Sequence, residues 1–271
     1  MANSKNGLIP AERRNRIHEI IRDQGIVRVS ALSDLFDVAE ITIRRDLEQL
    51  EQVGYLERTH GGAVYSRRMQ LETSYTEKDQ IHRQEKEQIG VEAAALVENE
   101  DIILVNSGST TLQIFRHLAD QKRIRVITSN MGAFREIRGL DIELILVGGE
   151  YREESNSLVG PLATLGLEQV YGNKCFIGVD GVSIKYGLTT PNLREAEVAR
   201  MMIEHTRGQV IVVADHHKLG VVADFQTAPI EGIDILVTDS DFDESYREGL
   251  EKLGIEIVVA SGDNDNVKLN N

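Results

Sequence analysis

Two adjacent arginines, Arg44 and Arg45, stand out in a chain of 271 residues whose formal net charge is −14. Residues in a helix recur on one face every three to four positions, so Thr42, Arg45 and Gln49 share a face. Arg44 lies on the flank of that face. Guanidinium, hydroxyl and carboxamide groups bind phosphates and base edges. The spacing therefore predicts a helical surface that meets a nucleic acid.

A second cationic stretch, residues 58–63, follows this helix and contains Arg58, His60 and the pair Gly61-Gly62. Short extended segments on either side of the glycine pair predict a hairpin that turns there. Such a wing would carry Arg58, His60 and Gly61 to the same nucleic acid. The predicted wing strands are 55–58 and 63–65.

The elements that must position these residues have their own signals. Pro10 and the apolar spacing after it predict a first helix, and Ser30 is expected to cap a second. Residues 37–39 form the turn into the recognition helix, so the pair of helices predicts a helix-turn-helix with its second helix in the major groove. The alternative is that Arg44 and Arg45 are only a solvated helix face, but the ordered succession of elements favours DNA binding. The apolar stripe of the recognition helix is Ile43, Leu47 and Leu50.

Residues 10–65 resemble the N-terminal domain of DeoR-type bacterial transcriptional repressors. The family pattern Thr-Ile-Arg-Arg-Asp-Leu is matched at residues 42–47, and Arg-Thr-His-Gly-Gly-Ala is matched at residues 58–63. The chain departs at Ala39, where the family usually has Ser. The resemblance implies a winged helix-turn-helix at residues 1–65 and a double-stranded DNA operator as partner. The predicted DNA-binding residues are Thr42, Arg44, Arg45, Gln49, Arg58, His60 and Gly61.

The composition limits the class of protein. A hydrophobic fraction of 41% and a charged fraction of 27% suit a soluble globular chain that is long enough for two domains. No apolar run approaches the roughly 18 residues of a membrane span, and the first residues lack a secretory apolar region. The single cysteine, Cys175, excludes an internal disulfide and suits a small buried hydrophobe. We expect a cytoplasmic protein without membrane contact.

The acidity of the chain is unevenly distributed. Residues 1–70 contain 11 Lys and Arg against 10 Asp and Glu, whereas the remainder contains 19 against 34. Because the N-terminal region is near neutral, DNA affinity would depend on the local placement of cations. A homo-oligomer, a dimer or larger, would multiply those contacts. The acidic remainder repels DNA and would confine contact to the N-terminal face.

The pattern changes after residue 65. Residues 66–80 are polar without clear periodicity and are predicted to be a linker at which the domains move, and residues 261–271 form a polar tail. Between them, residues 81–260 alternate short Val- and Ile-rich runs with helical stretches, which predicts an α/β effector-sensing domain with a mostly parallel sheet. The expected strands are 102–105, 125–128, 143–147, 174–179, 210–214, 235–238 and 256–259. The expected helices lie near 110–119, 131–138, 161–170, 192–206 and 243–253.

Polar residues follow successive strands of this sheet, and open α/β sheets bind ligands outside the carboxyl ends of their strands. Glycine at residue 108 lets the backbone approach an anion, while hydroxyls and helix N-terminal N–H groups can hold its oxygens. Asp180 offers a carboxylate to hydroxyl groups, and Lys218 offers a positive charge. The combination suits a small phosphorylated sugar or polyol. The predicted strand-end residues are Asn106, Ser107, Gly108, Ser109, Thr110, Thr111, Ser129, Asn130, Gly148, Gly149, Asp180 and Lys218.

The order of these elements resembles the C-terminal effector domain of the same DeoR-type family, which is similar to ribose-5-phosphate isomerase and to the CoA-transferase-like fold. By this resemblance, residues 107–111 would hold the phosphate of an effector. Asp180, Glu195 and Lys218 would contact its sugar part. Many relatives have Asp where this chain has Asn106, so the accepted hydroxyl pattern is expected to differ.

Two functions of different class remain in competition. The first is a sequence-specific repressor of a carbohydrate-metabolism operon that is released by a phosphorylated sugar. The alternative is a sugar-phosphate isomerase-like enzyme with an attached DNA-binding domain, but residues 215–220 lack the Gly-rich lysine loop of the isomerases, so we expect a non-enzyme. A ligand-independent architectural DNA binder is a third, simpler possibility. Because the adjacent His216 and His217 have no further His or Cys placed to complete a tetrahedral site, no metal or cofactor is expected.

Overall fold

The computed structural model describes residues 9–24, 26–52, 55–59, 61–65, 67–68, 72–121, 123–242 and 244–260. Three clusters of buried apolar side chains organise this part of the chain. One lies in the N-terminal region, and the other two lie on opposite faces of one large sheet. Successive side chains of a strand point to opposite faces, and accordingly Leu104 belongs to one cluster while its neighbours Ile103 and Val105 belong to the other.

The N-terminal elements form a winged helix-turn-helix, as the sequence predicts. Its strands pair antiparallel in the order β1-β3-β2. Asp37 ends the second helix with a left-handed conformation at φ 51°, which makes the turn into the third. The expected cap at Ser30 is wrong, because that helix begins one residue earlier at Val29 and its N-cap position is Arg28 without a side-chain cap. The elements are α1 (Pro10–Gln24), β1 (Ile26–Arg28), α2 (Val29–Phe36), α3 (Glu40–Gln52), β2 (Leu56–Arg58) and β3 (Gly62–Tyr65).

A buried ion pair ties the first helix to the recognition helix α3. The Arg13 Nε lies 2.5 Å from Asp46 Oδ2, and both side chains are almost fully buried. Arg14 adds a contact of 3.6 Å to the other oxygen of Asp46. Removing one member of such a pair leaves a buried charge without compensation. Asp46, the acidic residue of the Thr-Ile-Arg-Arg-Asp-Leu motif, therefore has a structural role.

The rest of the described chain forms an α/β fold around a seven-stranded parallel sheet of order β17-β16-β13-β10-β5-β6-β7. Every strand of that sheet coincides with a strand expected from the sequence. The strands beyond β3 are β4 (Arg67–Arg68), β5 (Ile102–Val105), β6 (Ile124–Thr128), β7 (Ile142–Leu146), β8 (Glu150–Arg152), β9 (Ser157–Val159), β10 (Gly172–Gly178), β11 (Gly181–Ser183), β12 (Gly187–Thr190), β13 (Thr206–Val213), β14 (Val221–Val222), β15 (Phe225–Ala228), β16 (Ile235–Thr238) and β17 (Glu256–Val259).

Helices cover both faces of this sheet. None of the helices in the described ranges combines the length and apolar character that crossing a bilayer requires. The helices are α4 (Tyr75–Gln80), α5 (Arg83–Ala95), α6 (Ser109–Arg116), α7 (Ala133–Glu136), α8 (Pro161–Leu167), α9 (Leu193–Glu204) and α10 (Glu244–Glu251). A small antiparallel sheet of order β11-β12-β15 and the hairpin β8-β9 lie outside the main sheet.

The segment predicted as a linker contains regular structure. Strand β4 pairs in parallel with β14 of the larger domain, so backbone hydrogen bonds join the chain just after the wing to that domain. Helix α4 begins with a capping box in which Ser74 and Glu77 satisfy each other's backbone N–H groups. Its last turn carries Lys78, whose position is described below.

Candidate DNA-binding surface and ligand cavity

The recognition helix α3 has one buried face and one exposed face, as the sequence predicts. Its apolar residues Ile43, Leu47 and Leu50 are buried in the N-terminal core. Arg44, Arg45 and Gln49 are exposed, and Thr42 is half-buried at the edge. The side chains proposed to contact DNA therefore lie together on the accessible side of this helix.

The two arginines of this helix have different surroundings. The Arg44 Nη2 lies 3.1 Å from the Glu40 carboxylate one turn earlier, so its charge is already paired. Within the described residues, no hydrogen bond or ion pair occupies Arg45. Of the two arginines of α3, Arg45 is therefore the more available to a phosphate or a guanine edge.

The wing places Arg58 and Gly61 at the surface. The Arg58 side chain is exposed, and its backbone N–H donates to Glu51 Oε1 at 3.1 Å. Gly61 is exposed, and its carbonyl accepts from the backbone N–H of Val29 at 2.8 Å. His60, also predicted to contact DNA, lies outside the described residues.

The two wing glycines predict opposite outcomes of the same substitution. A Cβ at Gly62 would lie 1.9 Å from the carbonyl oxygen of Val27, whereas a Cβ at Gly61 would meet nothing within 4 Å. We expect Gly62→Ala to displace β1 from β3 and to cost about 1–3 kcal/mol of stability, as overpacking does. Thermal unfolding of the full chain measures this. The matched control Gly61→Ala should keep the wild-type melting temperature, and equal losses in both variants would contradict the packing argument.

A cavity of about 1070 Å³ opens at the carboxyl end of the parallel sheet. The predicted strand-end residues converge there because β5, β10 and β13 are adjacent in the sheet. Glu195, at the start of α9, also reaches the cavity. The predicted residues that line it are Asn106, Ser107, Gly108, Ser109, Thr110, Ser129, Asp180, Glu195 and Lys218.

Two of the other predicted residues brace the loop at 106–108 instead of lining the cavity. The Thr111 hydroxyl donates to the carbonyl of Asn106 at 2.9 Å. The Asn130 Nδ2 donates to the carbonyl of Gly108 at 3.3 Å. Both contacts hold the loop in the conformation that it presents to the cavity.

The structure does not bring Gly148 and Gly149 to the cavity lining. They follow β7, which is the edge strand of the sheet, so they lie away from the central strand ends. A Cβ at Gly149 would lie 2.7 Å from the carbonyl oxygen of Val159. Close packing against β9 accounts for this glycine.

The Asn106 side chain connects the end of β5 to the end of β10 by hydrogen bonds. Its Oδ1 accepts from the backbone N–H of Gly178 at 2.8 Å, and its Nδ2 donates to the carbonyl of the same residue at 2.8 Å. An aspartate could make the first bond but has no N–H for the second. Both polar atoms of the side chain are thus committed to positioning.

Asp180 is the electrostatic centre of the cavity. Its Oδ1 lies 2.6 Å from Lys78 Nζ and 3.8 Å from Lys218 Nζ, and its Oδ2 accepts from the Thr190 hydroxyl at 3.0 Å. Burial opposes ionisation of this carboxyl, but the two ammonium groups outweigh burial and hold its pKa below the ordinary value. Asp180 is therefore ionised and shared by two lysines.

Two further carboxylates offer acceptors to a ligand. Asp215 is fully buried, and its Oδ1 accepts from the backbone N–H of His217 at 3.1 Å. Its Oδ2 and the Oε1 of Glu195 are buried without a hydrogen-bond donor from the described residues. Arg152 lies 3.3 Å from Glu195 but outside hydrogen-bond geometry, and burial raises the pKa of Glu195. These oxygens fit hydroxyl donors of a ligand, because an unsatisfied buried acceptor costs free energy.

Sequence reasoning missed Lys78 and Lys86 as lining residues, whereas Asp215 follows the fifth predicted strand and was expected at this edge of the sheet. Lys86 donates to the carbonyl of Ile81 at 2.9 Å and also to that of Lys78. Burial lowers the pKa of Lys86 to about 8. The aromatic rings of His82 and His217 also line the cavity and stack with their centroids 3.7 Å apart. Since Lys78 belongs to a segment without periodicity, no pattern in the sequence could have placed it here.

Hydrogen bonds account for the clustering of His216 with two aspartates. Its Nδ1 lies 2.7 Å from Asp239 Oδ1, and Asp241 lies close by. The two Asp239 oxygens also accept the backbone N–H groups of His216 and Asp241, at 2.8 and 3.0 Å. We assign no metal to this group.

A winged helix-turn-helix joined to an α/β domain with a polar cavity defines a DNA-binding protein that carries a sensor domain. Two family models match the chain. The DeoR-like helix-turn-helix domain matches residues 13–68, and the DeoR C terminal sensor domain matches residues 81–240. The chain belongs to the DeoR family of transcriptional regulators, as the sequence motifs indicate.

Curated relatives share nearly the whole chain. The HTH-type transcriptional regulator GlpR of Haloferax volcanii is 34% identical over 251 residues, which is 93% of this chain and 98% of the relative. The transcriptional repressor AccR of Agrobacterium fabrum is 33% identical over 252 residues, 92% of this chain and 97% of the relative. Among solved structures, ribose 5-phosphate isomerase A of Methanocaldococcus jannaschii is 18% identical over 49% of this chain and 53% of that chain, with a TM-score of 0.36. Since these full-length relatives are regulators, the chain is a DNA-binding regulator with a small-molecule effector and not an isomerase-like enzyme.

Proposed function

We propose that this regulator represses a carbohydrate-metabolism operon and leaves its operator when a phosphorylated sugar binds in the cavity. The observation that supports this most is the division of the cavity into two chemistries. One part offers hydroxyls, backbone amides and ammonium groups, and another offers buried carboxylate oxygens that receive no hydrogen bond from the residues that the structure describes. A molecule with a phosphate and several hydroxyls satisfies both.

The loop that precedes α6 is the proposed phosphate site. Residues 107–110 line the cavity, and Ser109 and Thr110 form the first turn of a helix of eight residues. The N-terminus of a helix favours an anion because its backbone N–H groups are unpaired and its dipole is positive there. Lys78 and Lys218, which both lie at the neighbouring Asp180, supply positive charge for the phosphate.

The carboxylates are the proposed hydroxyl site. Asp215 Oδ2 and Glu195 Oε1 lack donors within the described structure, and both residues line the cavity. A polyol can donate to each oxygen and return part of the free energy lost by their burial. Inorganic phosphate alone offers no such set of donors, which supports a sugar as the effector.

Repression is the proposed sign of regulation, supported by the name of the Agrobacterium fabrum relative, a transcriptional repressor. A homo-oligomer, a dimer or larger, would present two or more recognition helices to the operator. For release, the effector must bind the DNA-free state more tightly than the DNA-bound state, and DNA must weaken effector binding by the same factor. A coupling of about 1–3 kcal/mol is typical of such systems.

Thermal unfolding in the presence of pentose and hexose phosphates, with the unphosphorylated sugars as controls, tests this proposal. A ligand present at a hundred times its Kd should stabilise the protein by about 2.7 kcal/mol. The same compound should release the protein from a duplex that the wild-type chain selects out of a random-sequence pool. A protein that binds this duplex but shows no stabilisation and no release with any phosphorylated sugar would refute the effector assignment.

The pKa of Lys86 predicts a pH dependence of anion binding. Above about pH 8 this lysine loses its proton, so the cavity loses one positive charge. We expect the affinity for inorganic phosphate, measured by calorimetry, to fall severalfold between pH 7.5 and 9. The dianionic fraction of phosphate rises over this range and would by itself strengthen binding, so a fall in affinity would come from the protein. Lys86→Met should bind phosphate with a weaker dependence on pH, and an unchanged profile in this variant would contradict the assignment.

A further inference from the structure

Lys78 reaches the cavity from the segment that joins the two domains. It lies in the last turn of α4, 102 residues before its partner Asp180 in the chain. Its side chain is only 14% exposed, and its Nζ lies 2.6 Å from Asp180 Oδ1. An ammonium group this buried requires a counter-charge.

One carboxylate does not neutralise the lysines that surround it. Lys218 Nζ lies 3.8 Å from the same oxygen of Asp180 that Lys78 contacts. Two positive charges thus share one negative charge at the buried Asp180 carboxylate. The second Asp180 oxygen is occupied by the Thr190 hydroxyl. Asp215 and Glu195 also line the cavity, so the cavity as a whole holds carboxylates as well as lysines. An anion beside Lys78 and Lys218 would nevertheless offer a second negative partner to the two ammonium groups that share Asp180.

The backbone of Lys78 is bonded to the proposed phosphate loop. The Ser109 hydroxyl donates to the carbonyl of Lys78 at 3.3 Å, and Lys86 donates to the same oxygen. A hydroxyl carries one proton, so Ser109 cannot donate both to this carbonyl and to a phosphate oxygen. A phosphate in the loop would therefore compete for one polar partner of Lys78 and attract its ammonium group.

We infer that Lys78 is an effector-binding residue and that it exchanges Asp180 for the phosphate when the effector binds. This inference rests on the proposed function and adds a regulatory property to it. The phosphate is held by the sensor domain and, at the same time, by the segment that leads to the wing. The Lys78 ammonium group would then bind the effector, while Lys78 itself is part of the segment that connects the two domains.

A second charge pair ties the beginning of the same segment to the cavity. Glu72 pairs with Arg152, and Arg152 also lies 3.3 Å from Glu195, which lines the cavity. The segment 72–80 is thus held near its end by Asp180 and near its beginning by Arg152, and Asp180 and the Arg152 partner Glu195 both line the cavity. An effector that engages Asp180 and Glu195 would change both attachments, which gives it a route to the DNA-binding domain.

The test measures the affinity of the full chain for inorganic phosphate by calorimetry, with chloride at matched ionic strength as the reference. Lys78→Met should weaken phosphate binding at least tenfold. Lys252→Met, which removes the charge of an exposed lysine just after α10 that does not line the cavity, should bind as the wild type does. A purely structural role for Lys78 would lower the melting temperature without changing the phosphate affinity.

Asp180→Asn provides a second measurement of opposite sign. This substitution removes the anion that competes for Lys78, so it should tighten phosphate binding severalfold. The double variant Lys78→Met/Asp180→Asn keeps the charge balance, which protects folding, and should lose at least tenfold relative to Asp180→Asn. Equal affinities of these two variants would overturn the inference.

The outcomes separate the inference from the proposed function. If the wild-type protein binds phosphate and Lys78→Met binds it equally well, only the role of Lys78 is wrong. If the wild-type protein shows no phosphate binding up to the highest soluble concentration, the phosphate site itself is wrong, and the inference falls with it.

Discussion

Replacing Arg45 with alanine is expected to weaken specific DNA binding by about 1–3 kcal/mol, a loss of roughly five- to 150-fold. Its guanidinium is exposed and has no partner among the described residues, so nothing competes with DNA for it. A fluorescence-anisotropy titration measures the effect, with a duplex that the wild-type protein selects from a random-sequence pool. Unchanged affinity for this duplex would show that the contact surface is elsewhere.

Arg44→Ala is the matched control for that experiment. Arg44 must leave Glu40 before it contacts DNA, and an exposed pair of this kind is worth about 0.3–0.5 kcal/mol. We therefore expect Arg44→Ala to lose less affinity than Arg45→Ala. The reverse order would mean that Glu40 positions Arg44 for contact instead of competing with DNA.

Replacing Lys218 with methionine is expected to weaken the response to the effector strongly while DNA binding is retained. The substitution removes one of the two ammonium groups at Asp180, and a hydrogen bond to a charged group contributes about 1.5–3 kcal/mol. The effector concentration needed to release the operator should rise by roughly ten- to 150-fold. Titration of the protein–DNA complex with an active sugar phosphate measures this shift.

The side chain of Lys218 lines the cavity and is not part of the recognition helix α3. Loss of operator affinity in Lys218→Met without effector would therefore indicate that this lysine supports the DNA-bound state. Release at the wild-type effector concentration would instead show that Lys218 does not bind the effector. Lys252→Met again serves as the control for loss of one lysine charge.

The central strands of the large sheet could be predicted because most of their residues are buried on both faces. Such strands are continuous Val- and Ile-rich runs. All seven strands of the sheet were located, although β10 begins at Gly172 instead of residue 174 and β13 begins at Thr206 instead of residue 210. The recognition helix and wing were predictable for a different reason, since the apolar stripe and the glycine pair are local signals. The start of α2 was missed because Arg28 offers no side-chain cap.

The cavity was only partly predictable because its composition depends on strand order. The rule about strand ends correctly selected residues after β5, β10 and β13, which are neighbours in the sheet. The same rule included Gly148 and Gly149, but β7 proved to be the edge strand. Lys78 could not be found at all, because a contact across 102 residues leaves no trace in the local pattern.

The short parallel pairing of β4 with β14 bears on how such regulators could be recombined. The DNA-binding domain ends near residue 65 by sequence, yet β4 begins two residues later as part of the other domain's hydrogen bonding. A chimaera spliced at residue 65 would keep β4 with its partner β14, and Lys78 with its partner Asp180, on the same side of the junction. A splice after residue 80 would separate β4 from β14 and Lys78 from Asp180, so the natural point of exchange between relatives lies between the wing and β4.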